Sequence, residues 1–190
     1  MSTLAIHFIW TTYLTWPPGD HRGHWSPLFD FYSNLIERGH KLNLPSSTTY
    51  KRSLAIAKEP PILLSECEMQ AVANAIGELV APVSPPLAAG NFDYRPQAYA
   101  FAIEPNHVHL LTGAIQEDLS AFIGRVKGMS SSAVLKHAGN ETRSRVWTSG
   151  YWKVFLFDRE GVCAVKDYVE QHNLRRGLPR QTVDWIYQLE

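Results

Sequence analysis

The chain has 190 residues, 45% hydrophobic and 19% charged, with 18 basic and 18 acidic side chains and a formal net charge of zero. That length suits a single core, and the composition excludes the disordered and fibrous classes. The charge balance argues against indiscriminate wrapping of nucleic acid, which relies on many uncompensated Lys and Arg contacts to phosphate. No stretch approaches the roughly 18 uninterrupted apolar residues of a membrane span, and the start Met1-Ser2-Thr3-Leu4-Ala5 lacks a signal-peptide core. A soluble, cytoplasmic protein with no membrane partner is expected, nucleoid-associated if the source is prokaryotic, with one domain over residues 1–190. Cys67 and Cys163 are isolated and lie in apolar-periodic segments, which predicts buried thiols.

Ala5 to Thr15 is rich in Ile, Phe, Trp, Thr and Tyr and ends at Trp16-Pro17-Pro18-Gly19-Asp20, a strand entering a turn. The pattern weakens from there to about Pro61. A short helix around Phe29 to Leu42 and a polar loop through Pro45-Ser46-Ser47 are expected in what reads as an insertion around residues 17–62. Ser65-Glu66-Cys67-Glu68 is a capping box. Met69, Val72, Ala73, Ile76, Leu79 and Val80 then recur at helical spacing, predicting a helix over Glu66 to Val80, stopped by Pro82, Pro85 and Pro86. Residues 97–104 and 107–112 predict a hairpin turning at Glu104-Pro105-Asn106. Leu119, Phe122, Val126, Met129 and Ala133 place an apolar stripe on a helix from Glu117 to His137, with Gly139-Asn140 as its stop. Trp147 to Phe157 is a strand candidate. Val162, Val165 and Val169 mark a last helix over Arg159 to Asn173. This order is α+β: a ferredoxin-like or RRM-like sandwich, with a mainly antiparallel sheet and helices packed on one face.

Two constellations carry chemistry. In Asn106-His107-Val108-His109-Leu110 the histidines alternate with apolar residues on a strand, so both imidazoles face the same side and can chelate a metal. In Tyr168-Val169-Glu170-Gln171-His172 the phenol and a third imidazole are four residues apart, neighbours on one helix face. A phenol becomes a usable nucleophile when a nearby cation or base assists it. His107, His109 and His172 would form one metal site if the last helix packs on the hairpin, with Gln171 as the alternative ligand. Basic residues concentrate in the C-terminal half. Arg125, Lys127 and Lys136 on one helix, and Arg175 with Arg176 beyond the tyrosine helix, are the candidate phosphate contacts. Trp147, Tyr151 and Trp152 suit either a core or a base-stacking surface, and Ser130-Ser131-Ser132 a polar run.

The string Ile103-Glu104-Pro105-Asn106-His107-Val108-His109-Leu110-Leu111 resembles the PNHVHLL signature of HUH transposases that use one tyrosine, including the REP-associated tyrosine transposases. Tyr168 to Leu178 is similar to their closing segment, and Phe8 to Trp16 with Pro18-Gly19-Asp20 to the first strand and turn of some members. The resemblance implies a divalent ion, usually Mg or Mn. It implies attack of the tyrosine on single-stranded or hairpin DNA, a 5′-phosphotyrosine and a free 3′-hydroxyl. His107 and His109 become metal ligands, Tyr168 the nucleophile, and His172 the third ligand where relatives usually carry Gln or Asn. A third imidazole shifts metal preference toward softer ions. Many members form a homodimer and others act as monomers; the sequence fits either. Two other readings fit the same residues: a metal-dependent phosphodiester hydrolase using activated water, and a non-catalytic nucleic-acid-binding module.

Overall fold

In a computed structural model, the chain is described over residues 2–17, 20–21, 46–80, 95–137, 143–177 and 180–188. Its described strands are β1 (Ala5–Thr11), β2 (Ala98–Glu104), β3 (His107–Gly113) and β4 (Trp152–Leu156). Its helices are α1 (Ser47–Ala55), α2 (Glu66–Gly77), α3 (Leu119–His137) and α4 (Arg159–Glu170), followed by a 3-10 turn at Leu174–Arg176. The sheet order is β2-β3-β1-β4, with every neighbouring pair antiparallel. The expected helix over Phe29–Leu42 and the stops at Pro82, Pro85, Pro86, Gly139 and Asn140 lie outside the described residues.

The β2–β3 hairpin turns as predicted, with Glu104 opposite His107, and the period-two alternation then divides the sheet into two chemically different faces. One face presents Ile6, Phe8, Trp10, Phe101, Ile103, Val108 and Leu110, which pack with Val72 and Ile76 of α2 and with Phe122, Val126 and Val134 of α3. This is the main core. The opposite face is built of small residues, Ala5, Ala100 and Ala102, together with Leu111 and Leu156, and α4 lies against it through Val162, Val165 and Val169. The α+β sandwich and antiparallel sheet stand as expected, with α2 and α3 forming the layer on one face. The last helix adds a layer on the other face, because alanines there leave room for a helix backbone to approach.

Local signals account for several elements. The Ser65 capping box forms in full, Ser65 Oγ accepting from Glu68 N at 3.3 Å and Glu68 Oε2 from Ser65 N at 2.8 Å. Asp158 caps α4 by accepting from Gly161 N at 2.7 Å. The polar loop expected at Ser46-Ser47 is instead the start of α1, with Ser46 as N-cap. On α3 the inward stripe is Phe122, Ile123, Val126, Ser130 and Val134; Met129 and Ala133 line an outer groove against α2. Cys67 and Cys163 are both exposed, not buried: each sits on the water-facing side of its helix, where apolar periodicity does not decide orientation. Edge strand β2 is closed by the C-terminal segment. Gln181 bonds the backbone N and O of Ile103 at 2.7 Å each, and Trp185 packs on Phe101 with ring centroids 5.0 Å apart. Among the described residues no helix is long and apolar enough to cross a membrane.

Candidate metal centre and tyrosine site

The site forms where α4 ends over the alanine-rich face. Strand alternation turns His107 and His109 toward α4, and Val169, fully buried, anchors the helix so that Tyr168 and His172 flank them. One ligand nitrogen from each of His107, His109 and His172 lies within 4.8 Å of the others. His107 Nε2 is 2.8 Å from His172 Nε2. The Tyr168 ring lies edge-on to His109 at 5.7 Å between centroids and 5.8 Å from His172, and Tyr168 remains 38% exposed to solvent.

Hydrogen bonding orients the rings. Asn106 Oδ1 is 2.7 Å from His107 Nδ1; an acceptor there favours the Nδ1–H tautomer, in which Nε2, turned toward His172, carries the lone pair. His7, on β1, plays the corresponding part for His109: its Nε2 is 3.0 Å from His109 Nδ1, and donation from His109 frees that ring's Nε2. Burial lowers the pKa of His7 to about 4, assisted by the nearby His172. Burial likewise takes His109 well below 6.5, with the His7, His107 and His172 charges adding to it. His172 is lowered by burial and then by Arg175. Neutral imidazoles with converging lone pairs are the form that binds metal, so this donor set fits a divalent ion.

The other expected site residues divide. Arg175 is at the site, its guanidinium carbon 4.8 Å from the Tyr168 ring centroid. Gln171 is not drawn in; it is exposed and forms the α4 C-cap, while His172, one position on, turns toward the histidines. Arg125, Lys127 and Lys136 belong to α3, across the sheet from the histidines. Arg125 is paired with Glu117, and Lys127 Nζ donates to the carbonyls of Thr148 and Gly150. Lys127 is thereby a strut for the segment before β4; its burial lowers its pKa to about 8. Trp147 is a core residue, its Nε1 donating to Ser130 Oγ at 3.0 Å. His7 was not foreseen, since only the β1–β3 register, pairing Ile9 with His109, reveals that His7 is its diagonal neighbour. Glu104, 1% exposed, also faces the cluster.

Residues 91–172 match the family model described as transposase IS200 like. The IS200-like segment contains both β3 histidines, Tyr168 and His172; His7 and Arg175 fall outside it. The match is thus to a transposase family, and the histidine cluster is compatible with metal binding. No curated protein matches the sequence. Similar solved structures include a REP-associated tyrosine transposase bound to a REP hairpin, 12% identical over 98% of this chain and 76% of that one, with a TM-score of 0.45. Another is a protein from Deinococcus radiodurans assigned as a transposase, 15% identical over 90% of this chain and 92% of that one, with a TM-score of 0.34.

Proposed function

We propose that this protein cleaves and rejoins single-stranded or hairpin DNA through a covalent bond to Tyr168, with a divalent ion held by His107, His109 and His172. The observation that carries the proposal is Tyr168 standing edge-on to His109 and beside His172, with a cation over its ring. An ion on those nitrogens supplies positive charge that polarises a phosphodiester oxygen. The protein's own groups do the rest. Tyr168 Oη gives up its proton and forms the bond to phosphorus as the bond to the 3′ oxygen breaks; the departing 3′ oxygen takes up a proton, leaving a 5′-phosphotyrosine and a free 3′-hydroxyl. Reversal with a new 3′-hydroxyl rejoins strands. Arg175 stabilises the phenolate and the phosphate charge as they develop. His7 and Asn106 keep His109 and His107 in the tautomers that present Nε2.

Arg175, with Arg176 beyond it, remains the DNA contact of this proposal. Arg125, Lys127 and Lys136 are not assigned to the cleaved strand, given their side of the sheet and, for Arg125 and Lys127, their protein partners.

The test is incubation of the protein with 5′- or 3′-labelled hairpin DNA and Mn or Mg, run on a denaturing gel against Tyr168→Phe. The 3′-labelled strand should become protein-linked only with metal and only with Tyr168 present. Cleavage that survives Tyr168→Phe would instead support a metal-activated water hydrolase, and binding without cleavage a nucleic-acid-binding module.

A further inference from the structure

Glu104 ends β2 on the same face as Ala100 and Ala102, and the hairpin register sets it directly opposite His107. A carboxylate therefore occupies a position in a row otherwise built of alanine, with 1% of its surface exposed. Burying a carboxylate is unfavourable unless charge or hydrogen bonds offset it. Its two oxygens face two of the three clustered histidines: Oε1 lies 3.0 Å from His172 Nε2, and Oε2 lies 3.7 Å from His107 Nδ1. His172 Nε2 is in turn 2.8 Å from His107 Nε2. Glu104 Oε1 thus meets His172 at the nitrogen turned toward His107, while Oε2 lies on the Nδ1 side of His107, the side held by Asn106.

We propose that Glu104 is a fourth protein ligand, making the centre a three-histidine, one-carboxylate site. The inference rests on the metal-holding part of the function proposed above and is independent of the chemistry at Tyr168. Three imidazoles and a carboxylate form the donor set of Zn, Mn or Co more than of Mg, which favours oxygen ligands and retains its waters. The carboxylate also carries a negative charge toward the cation that three neutral rings do not supply. The site should accordingly select an imidazole-preferring divalent ion over Mg.

The experiment uses the full chain, stripped of metal and titrated with Co(II) alone. Affinity is read by calorimetry and the ligand set by the visible absorption of the bound ion. Wild type is compared with Glu104→Gln, Glu104→Met and His107→Ala; Glu104→Met provides a fold that buries no unpaired polar group if the amide is not tolerated. We expect both Glu104 variants to lose about tenfold or more in affinity and to shift the Co(II) bands. Unchanged bands in variants that fold would overturn the proposal, whether or not affinity falls, because a residue acting only through His172 leaves the ligand set intact. If His107→Ala abolishes binding while the Glu104 variants match wild type, the three-histidine site stands and the fourth ligand does not. If wild type binds no Co(II), the metal site itself fails, and the proposal with it.

Discussion

The guanidinium carbon of Arg175 lies 4.8 Å from the centre of the Tyr168 ring, so a fixed positive charge stands over the one phenol beside the histidine cluster among the described residues. The contact ties the segment after α4 to the helix itself. The same charge helps keep His172 neutral.

Replacing Arg175 should therefore affect chemistry more than folding. Arg175 is exposed, so Arg175→Ala should change stability by less than about 0.5 kcal/mol. It should slow formation of the covalent DNA complex about a hundredfold to a thousandfold, the scale of one electrostatic contact in the transition state. Single-turnover rates at saturating DNA would measure this, and an unchanged rate would remove Arg175 from the site.

His7 should act through His109. His7→Phe keeps an aromatic ring in the buried position but removes the acceptor 3.0 Å from His109 Nδ1. Loss of such a partner typically weakens metal binding about tenfold to a hundredfold. Calorimetric titration of the metal-stripped protein with Mn(II) checks this, and affinity equal to wild type would contradict it.

The buried histidines also predict acid sensitivity. His7 has a folded-state pKa of about 4 against an ordinary 6.5, and His109 is displaced in the same direction. Between those values the unfolded chain takes up protons that the fold refuses. Stability is thus fully present above about pH 6.5 and declines as pH falls toward about 4. For His7 alone the loss is on the order of 2 to 3 kcal/mol across that window. Urea unfolding of metal-stripped protein at several pH values should give this slope, shallower in His7→Phe; equal slopes would show that His7 does not titrate this way.

On the main-core side of the sheet, a Cβ on Gly77 would stand 2.5 Å from Trp185 Cδ1 and 2.7 Å from its Nε1. Trp185 is 9% exposed and packs on Phe101, so it has little room to retreat. Gly77→Ala should destabilise the protein by about 1 to 3 kcal/mol and make the C-terminal segment easier to proteolyse. Wild-type stability and cleavage would mean that Trp185 repacks freely.

Much of this architecture was legible in the sequence where the signal was local. The Ser65 capping box, the Pro105-Asn106 turn and the alternation through His107 and His109 each depend on neighbours in the chain, and each forms as read. Tyr168 lies on α4 as read, whereas the helix stops at Glu170, short of the expected Asn173, and His172 reaches the cluster from the turn beyond it. What was not legible depended on pairing between distant segments. His7 reaches His109 only through the β1–β3 register, and the contact of Glu104 with His172 forms only when the turn after α4 meets the hairpin. Lys127 had the charge expected of a phosphate contact, but its role was decided by carbonyls about twenty residues away. Cys67 and Cys163 illustrate the converse: apolar surroundings in sequence do not determine which side of a helix a residue occupies.

The measurement that most directly tests the account is mass spectrometry of the protein after reaction with hairpin DNA and Mn(II), followed by protease and nuclease digestion. The account predicts a nucleotide attached through phosphate to the peptide bearing Tyr168, absent without metal. Cleaved DNA with unmodified Tyr168, or an adduct on another residue, would contradict it.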